Sequence, residues 1–359
     1  MKYIDEYRNR ELVKQYLDLI HTSSVKDISL MEVCGGHTMS IQKFGLPSML
    51  PSTIRLLSGP GCPVCVSSRH FIDRAIAYAH LPDVTITTFG DLIRVPGSSS
   101  TLNQEKAAGA DIRVVYSILD ALEIAENNPA RRIIFLGIGF ETTAPGTAAG
   151  ILNAYHKNLD NFFVLSNHKI MPPAMEALID EGVKINGYIA PGHVSTITGP
   201  EIFANIASKY NLACVIAGFE PIDLLQAIYM LVRQIEKNEP RVEIAYKRAV
   251  KRGGNPKAKK MMEEVFHLRT DWWRGLGDIP KSGLAIREKY RSFDAEAMIQ
   301  VDVEPTREDK GCICGEILKG LKTPKDCKLF GKTCTPANPV GACMVSNEGA
   351  CHAFYKYNP

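Results

Sequence analysis

The chain lacks long apolar runs, and its net charge is small. It has 359 residues, 45% of them hydrophobic, yet its longest apolar runs, such as IIFLGIGF, fall well short of the roughly 18 residues that a membrane span needs. A formal net charge of +3 gives no reason to expect bulk electrostatic binding of nucleic acid. These absences argue against membrane and nucleic-acid partners, and the apolar content is enough for a globular core.

The N-terminus also lacks the pattern of a secretory signal. The stretch MKYIDEYRNRELVKQYLDLI is charged throughout and has the pattern of a helix. We therefore expect a cytoplasmic protein. Because disulfide frameworks are rare in that compartment, the ten cysteines are better interpreted as metal ligands or redox groups.

Short apolar runs alternate with helical patterns over the first 240 residues. ISLMEV, TIRLLS and VTITTF are followed, after residue 130, by RRIIFLGIGF, NFFVLS, INGYIA and LACVIA. Strands that alternate with helices predict βαβ units and parallel sheets. We predict an α/β fold with two related parallel-sheet domains, residues 1–130 and 131–240, because the pattern restarts and GFE recurs at 139–141 and 218–220.

Residues 241–359 have a different composition. A basic and then amphipathic segment comes first, and the end of the chain is rich in cysteine, glycine and proline. We predict a helical segment followed by a small irregular C-terminal domain. Because that domain has little periodic apolar pattern, we expect a metal to hold it together.

Reactive side chains directly follow the predicted strands. In open parallel sheets, ligands bind outside the carboxyl ends of the strands, so these side chains are expected to converge on one or two clefts. They are Cys34, His37, Cys62, Cys65, Asp91, Glu141, His168, His193 and Glu220. For any single histidine or acid, the alternative is an ordinary loop or capping residue.

The motif CPVC at 62–65 precedes a predicted helix that Ser67 or Ser68 can cap. The positive end of a helix dipole lowers the pKa of a thiol and favours the thiolate that disulfide exchange and metal ligation require. Pro60 and Pro63 predict a stiff, open loop, and the alternative is a pair of buried, inert cysteines.

CGGHT at 34–38 adds a third thiol and an imidazole at another strand end. Cys34, Cys62 and Cys65 with a nearby His37 suit a thiophilic metal such as Fe(II) or Zn(II). GIGFETTAPG lacks the third glycine of a dinucleotide fingerprint, so we expect no nucleotide there. We predict that Glu141 in that motif faces the cleft, where it could act as a base or hydrogen-bond acceptor.

Six of the ten cysteines lie in the last fifty residues. Four of them have the spacing C-x6-C-x8-C-x7-C and are Cys327, Cys334, Cys343 and Cys351. The spacing differs from the close pairs of zinc fingers and from the C-x2-C-x2-C run of bacterial ferredoxins. A [4Fe–4S] cluster takes four cysteines, and these four can supply them. Cys312 or Cys314 could replace one of the four, or the two could form a separate redox pair.

The motifs CGGHT, GPGCPVC, GFETTAPG and PGHVS, with the tail CGEILKG and CKLFGKTCTPANPVGACMVSNEGAC, resemble those of the hydrogenase maturation protein HypD family. They stand in the family's order and extend across the whole chain. The resemblance implies two related α/β domains and a C-terminal [4Fe–4S] domain. It also implies a cytoplasmic scaffold on which the Fe(CN)2CO unit of [NiFe]-hydrogenase is assembled on Fe(II).

The resemblance further implies partners and residue roles. A HypC-type chaperone would help to hold the iron, and a HypE-type protein, carrying a thiocyanate made with HypF, would deliver cyanide. Cys34, Cys62 and Cys65 would be iron-site or redox thiols beside His37, and the tail cysteines would hold the cluster. Removing a cyano group reductively from a carrier thiol needs electrons, which a cluster near a C-x-x-C pair would supply. The alternatives are a cluster-dependent thiol/disulfide oxidoreductase and a purely structural cluster.

Overall fold

The computed structural model describes residues 5–358, and its framework is two parallel sheets and one antiparallel hairpin. The strands are β1 (Ile28–Glu32), β2 (Ile54–Ser58), β3 (Val84–Thr88), β4 (Ile112–Val114), β5 (Arg132–Gly139), β6 (Phe162–His168), β7 (Gly187–Pro191), β8 (Ala213–Ala217), β9 (Val242–Ile244), β10 (Phe266–Trp273) and β11 (Gly277–Ile286). The larger sheet has the order β2-β1-β7-β8-β9 and the smaller one β4-β3-β5-β6, while β10 pairs with β11. The predicted α/β class with parallel sheets is confirmed.

Helices cover the faces of the sheets and form the tail. They are α1 (Arg10–Ser23), α2 (Gly35–Lys43), α3 (Leu46–Met49), α4 (Pro63–Val66), α5 (Arg69–Ala79), α6 (Leu102–Ala107), α7 (Ile118–Asn127), α8 (Ala144–His156), α9 (Met171–Asp180), α10 (Gly192–Thr198), α11 (Ala204–Ser208), α12 (Pro221–Lys237), α13 (Pro256–Val265), α14 (Ala295–Met298), α15 (Cys314–Leu318) and α16 (Ala350–Tyr357). Between residues 5 and 358, no helix has both the length and the apolar character needed to cross a membrane. The helix predicted at the N-terminus is a 3-10 turn (Asp5–Arg8) followed by α1, and residues 1–4 lie outside the described part.

Each parallel sheet combines strands from both halves of the α/β region. β3 and β4 precede residue 130, yet β3 pairs with β5, and β5 pairs in turn with β6. β1 likewise pairs with β7, which follows residue 180. The chain leaves the larger sheet after β2, builds the smaller sheet, and returns with β7. The predicted division at residue 130 thus passes through the smaller sheet, because strand pairing is decided by contacts in space that a linear pattern does not record.

Strand β5 explains how the interior is organised. Its residues after Arg132 are all buried, as expected for a parallel strand covered on both faces. Successive side chains of a strand point to opposite faces. Ile134, Leu136 and Ile138 therefore join one apolar cluster, while Ile133 and Phe135 join another.

The cysteine-rich tail packs onto the α/β framework. Ile317 and Met344 of the tail belong to the same buried cluster as Met31 and Leu57 of the larger sheet. Helix α16 lies against α2. The tail was predicted as a domain with little apolar core of its own, and in the structure its apolar side chains share the main core.

Candidate thiol and metal site

A cleft of about 820 Å³ opens between the carboxyl ends of the two parallel sheets. Segments that follow β1, β2 and β7 form one wall, and segments that follow β3, β4 and β5 form the other. Residues 346–348 of the tail also line the cleft. Of the nine side chains selected from the sequence, the structure brings Cys34, Asp91 and His193 to this cleft.

Cys34 is held at the start of α2, directly after β1. Its backbone is extended, and its N–H donates to Glu32 Oε2 at 3.2 Å. The loop after β2 passes so close that a Cβ on Gly61 would lie 2.2 Å from the Cys34 nitrogen, so this position requires glycine. Burial raises the pKa of the Cys34 thiol to about 12, and the nearby Glu348 carboxylate acts in the same direction. A cation at the sulfur is what would stabilise its thiolate.

Cys62 and Cys65 form a disulfide, with their Cα atoms 5.2 Å apart. Cys62 caps the short helix α4, and its sulfur accepts the Cys65 N–H at 3.2 Å. As predicted, a serine caps the next helix: the Ser68 hydroxyl accepts the N–H of Phe71 at 3.2 Å.

The C-x-x-C loop is less open than its prolines suggested. Cys62 is 2% exposed and Cys65 is 0% exposed. The cleft reaches this loop at Gly61, Pro63 and Val64, so the disulfide lies behind the cleft wall.

His37 lies outside the lining of the cleft. Its side chain is buried, with Nε2 3.3 Å from the Ala217 carbonyl oxygen, and Nδ1 has no hydrogen-bond partner among residues 5–358. Burial lowers the pKa of His37 to about 4. The ring stacks on Phe219 at 4.7 Å, and Phe219 also stacks on His193 at 3.9 Å. Phe219 therefore connects a buried imidazole with one on the cleft wall.

Glu141 was expected to face the cleft, but the structure buries its carboxyl group at the start of α9. It is 3% exposed, and Oε1 accepts the N–H of Met171 at 3.0 Å. Oε2 has no partner. Burial raises the pKa of Glu141 to about 7, with the hydrogen bonds to its carboxyl group acting against the shift.

Glu141→Gln is expected to make the protein less sensitive to rising pH. The raised pKa means that the folded chain keeps a proton that the unfolded chain releases between pH values of about 4.5 and 7. The stability tied to this proton is full below about pH 4.5 and is lost as pH rises through about 7. Relative to wild type, the variant should therefore gain up to about 3 kcal/mol by about pH 8. Urea unfolding across this range measures the difference, with the exposed Glu123→Gln as control, and parallel pH curves would contradict a buried titrating carboxyl.

Two further residues selected from the sequence have structural partners. His168 is buried, and its Nε2 lies 2.8 Å from Thr147 Oγ1. Glu220 caps α12 and forms an ion pair with Arg8. These side chains behave as the ordinary capping and core residues that the alternative interpretation described.

Two acidic residues near Cys34 were missed by the sequence reasoning. Glu32 is 2% exposed and accepts hydrogen bonds from the Thr38 hydroxyl and the Cys34 N–H. Glu348 lines the cleft and lies against Gly35, where an added Cβ would come within 2.4 Å of the Glu348 Cβ. A glutamate at the end of an apolar strand was a usable signal for Glu32. Glu348 reaches the cleft from the far end of the chain, and no local pattern marks it.

The tail cysteines gather near Gly341. Cys312 Sγ donates to Cys314 Sγ at 3.3 Å, and a Cβ on Gly341 would lie 2.6 Å from either sulfur. Cys351 forms a hydrogen bond with Cys314, and this bond and burial raise the pKa of Cys351, with Cys343 and Cys312 also nearby.

The remaining two tail cysteines lie around this group. Cys334 Sγ accepts the Val340 N–H at 3.4 Å, and burial raises the pKa of its thiol, with Cys314 and Cys312 close by. Cys327 is more peripheral, with its sulfur 4.0 Å from the Gly311 carbonyl oxygen. Cys334, Cys343 and Cys351 of the predicted ligand set thus come together with Cys312 and Cys314, and Cys327 lies at the edge.

The chemistry of this donor set fits an iron–sulfur cluster. Thiolates are the ligands of such clusters, the tail carries six free cysteines, and the glycine at 341 leaves no side chain against the Cys312 and Cys314 sulfurs. Across residues 5–358, no three His, Cys, Asp or Glu side chains converge as a ready metal-ligating group, and the sulfurs contact one another as thiols. Helix α4 packs against the 3-10 turn Ala342–Met344, which brings the helix of the disulfide close to the turn that carries Cys343.

The structure thus defines an α/β protein with one cysteine on a cleft, a disulfide behind the cleft wall and six further cysteines in the tail, a donor set whose chemistry suits soft metals and thiol exchange. Comparison with known proteins gives the family. The model of HypD, described as the hydrogenase formation hypA family, matches residues 11–358. The chain belongs to the HypD family.

Several curated relatives match along their whole length. The hydrogenase maturation factor HypD2 of Bradyrhizobium diazoefficiens is 46% identical over 368 residues, covering 99% of this chain and 97% of the relative. The hydrogenase maturation factor HypD of Rhizobium leguminosarum bv. viciae is also 46% identical over 368 residues, covering 99% and 96%. That of Azotobacter vinelandii is 45% identical over 367 residues, covering 99% and 97%. These relatives support a role in hydrogenase maturation.

Proposed function

We propose that this protein is a cytoplasmic scaffold on which the Fe(CN)2CO unit of [NiFe]-hydrogenase is assembled. One observation carries the proposal: Cys34 is a free, partly exposed residue that lines the cleft where the carboxyl ends of both parallel sheets meet. An iron ion held there stays accessible to other proteins. The three regions that surround it come from the larger sheet, the smaller sheet and the tail.

In this proposal the iron is cargo, and Cys34 is its anchor. The Glu32 carboxyl group accepts the Cys34 backbone N–H and so fixes the start of α2. A HypC-type chaperone completes the coordination from the open side of the cleft, and a HypE-type protein presents the cyano group there. His193 and Asp91 line the same space and are the protein groups that would contact the incoming ligands.

The tail would hold one [4Fe–4S] cluster through Cys327, Cys334, Cys343 and Cys351. Cys314 contacts both Cys351 and Cys312. Cys312 or Cys314 could therefore replace Cys327 as the fourth ligand. When bound, the cluster would supply single electrons. The packing of α4 on Ala342–Met344 supports the Cys62–Cys65 pair as the recipient of these electrons. The reduced pair would lie near Cys34, because the glycine-rich loop before Cys62 passes close to the Cys34 backbone.

A second candidate is a cluster-dependent thiol/disulfide oxidoreductase. The observation that favours it is the disulfide itself, which lies in the segment that packs on the turn carrying Cys343. Such an enzyme would need no metal at Cys34, and this difference makes the two candidates separable.

Iron content separates the scaffold from the reductase. Purified without oxygen together with its HypC-type partner, the scaffold should carry one low-spin iron per chain beyond those of its cluster. Iron analysis with Mössbauer spectroscopy measures this, and the Cys34→Ala variant, which should lose only that iron, is the matched control. An iron content that the cluster fully accounts for, in wild type and variant alike, would favour the reductase.

A further inference from the structure

The C-terminal end of the C-x-x-C helix is covered by a single residue from another part of the chain. Arg274 follows β10, and its backbone N–H donates to the Val66 carbonyl at 3.0 Å. Its side chain donates through Nε to the Cys65 carbonyl at 3.0 Å and through Nη2 to the Ser67 carbonyl at 2.8 Å. Three consecutive carbonyls after the disulfide are therefore bound by Arg274, whose side chain is 9% exposed.

A second arginine and one glutamate extend this contact to the tail. Glu308 Oε2 lies 3.0 Å from Arg274 Nη1 and 3.4 Å from Arg69 Nε. Arg69 also donates to the Val340 carbonyl at 3.2 Å, directly before Gly341. We name Arg69, Glu308 and Arg274 the arginine clasp. It joins the C-x-x-C helix, the β10–β11 turn and the backbone beside the tail thiols.

The clasp places a net positive charge next to the disulfide. Two guanidinium groups face one carboxylate, and the carboxylate is the most exposed member, at 46%. The carbonyls that Arg274 binds are the negative end of α4, where a cation is stabilising. A nearby cation also favours thiolate over disulfide, because only the reduced pair carries negative charge. Since an ion pair whose carboxylate is half exposed contributes little to stability, its electrostatic effect on the disulfide is the more informative property.

We propose that Arg274 is a positioning residue that fixes the C-x-x-C helix and, with Glu308, sets the reduction potential of the Cys62–Cys65 pair. The inference rests on the proposed redox role of this pair. In the reduction, the Sγ–Sγ bond breaks and the two sulfurs gain two electrons and, on full protonation, two protons. An external dithiol reductant gives up the same electrons and protons and closes to its own disulfide.

The test is a redox titration of the full chain in buffers of reduced and oxidised dithiothreitol. After alkylation of free thiols and trypsin digestion, the peptide 56–69 reports on the pair alone, since Cys62 and Cys65 are its only cysteines. Arg274→Met removes a positive charge and should shift the equilibrium about tenfold toward the disulfide, a potential lower by about 30 mV. Glu308→Gln removes the opposing negative charge and should raise the potential. Arg274→Lys should restore most of the wild-type value, and Arg287→Met, at an exposed position directly after β11, should leave it unchanged.

Shifts of opposite sign are the distinguishing result, because a purely structural clasp would move both variants in the same direction. If folded Arg274→Met and Glu308→Gln proteins keep the wild-type potential, the inference is overturned. If Arg274→Met does not fold, Arg274→Gln takes its place, and the same opposite shifts in reduction potential are expected for Arg274→Gln and Glu308→Gln. A wild-type disulfide that shows no reversible reduction would instead overturn the proposed redox role, and the inference with it.

Discussion

Cys34→Ala is expected to abolish hydrogenase maturation while the fold and the tail remain intact. Cys34 is the thiol that lines the cleft between the two sheets, whereas Cys62 and Cys65 are buried behind the wall. Removing its sulfur takes away the anchor for iron but leaves the surrounding backbone, since the Cys34 N–H bond to Glu32 does not involve the side chain. Hydrogenase activity in cells that lack their own HypD measures the effect. Iron in the tail and the melting temperature are measured in parallel.

The matched control for this experiment is Cys214→Ala. Cys214 is a buried, free cysteine in β8 and does not line the cleft. Its truncation should cost about 1 kcal/mol of stability and leave maturation unchanged. Cys62→Ala and Cys65→Ala should abolish maturation as Cys34→Ala does, whereas His37→Ala should impair it less, because His37 lies outside the lining of the cleft. A well-folded Cys34→Ala protein that still matures hydrogenase would remove Cys34 from the site.

Single alanine substitutions of the six tail cysteines should divide them into cluster ligands and bystanders. Loss of one ligand should remove most of the visible absorption of the cluster and of its iron, because a [4Fe–4S] cluster needs four thiolates. We expect that loss for Cys334, Cys343 and Cys351. The fourth ligand is the informative case, since Cys327 belongs to the proposed set but lies at the edge, whereas Cys312 and Cys314 lie within the group.

This series also tests how far the folding of the tail depends on the proposed cluster. The tail shares apolar side chains such as Ile317 and Met344 with the main core, so ligand loss should loosen the tail without unfolding the sheets. Hydrogen exchange of α15 and α16, compared with β5, measures this difference. Full cluster content in all six variants would show that the tail cysteines do not bind the cluster.

The sequence predicted what depends on local pattern. Apolar runs such as IIFLGIGF gave strands of the parallel sheets, and a serine after CPVC gave the cap of the next helix. Because reactive residues follow strands, Cys34, Asp91 and His193 reach one cleft. Each of these predictions uses neighbours within a few residues of the chain.

What the sequence could not predict depends on contacts between distant segments. The interleaved order of the two sheets follows from the return of β7 beside β1, some 155 residues later. Glu141 follows a strand like the others, yet its carboxyl group turns to the start of α9 and is buried. Glu348 reaches Gly35 from the opposite end of the chain. Only the packed structure decides which strand-end residues reach the cleft.

The infrared spectrum of the protein, purified without oxygen in complex with the proposed HypC-type partner, tests the central claim most directly. Cyanide and carbon monoxide bound to iron give bands in a region where protein groups do not absorb. We expect two cyanide bands and one carbon monoxide band in the wild-type complex, and none in the Cys34→Ala complex isolated in the same way. A wild-type complex without these bands, or a Cys34→Ala complex that retains them, would contradict assembly of the iron unit at Cys34.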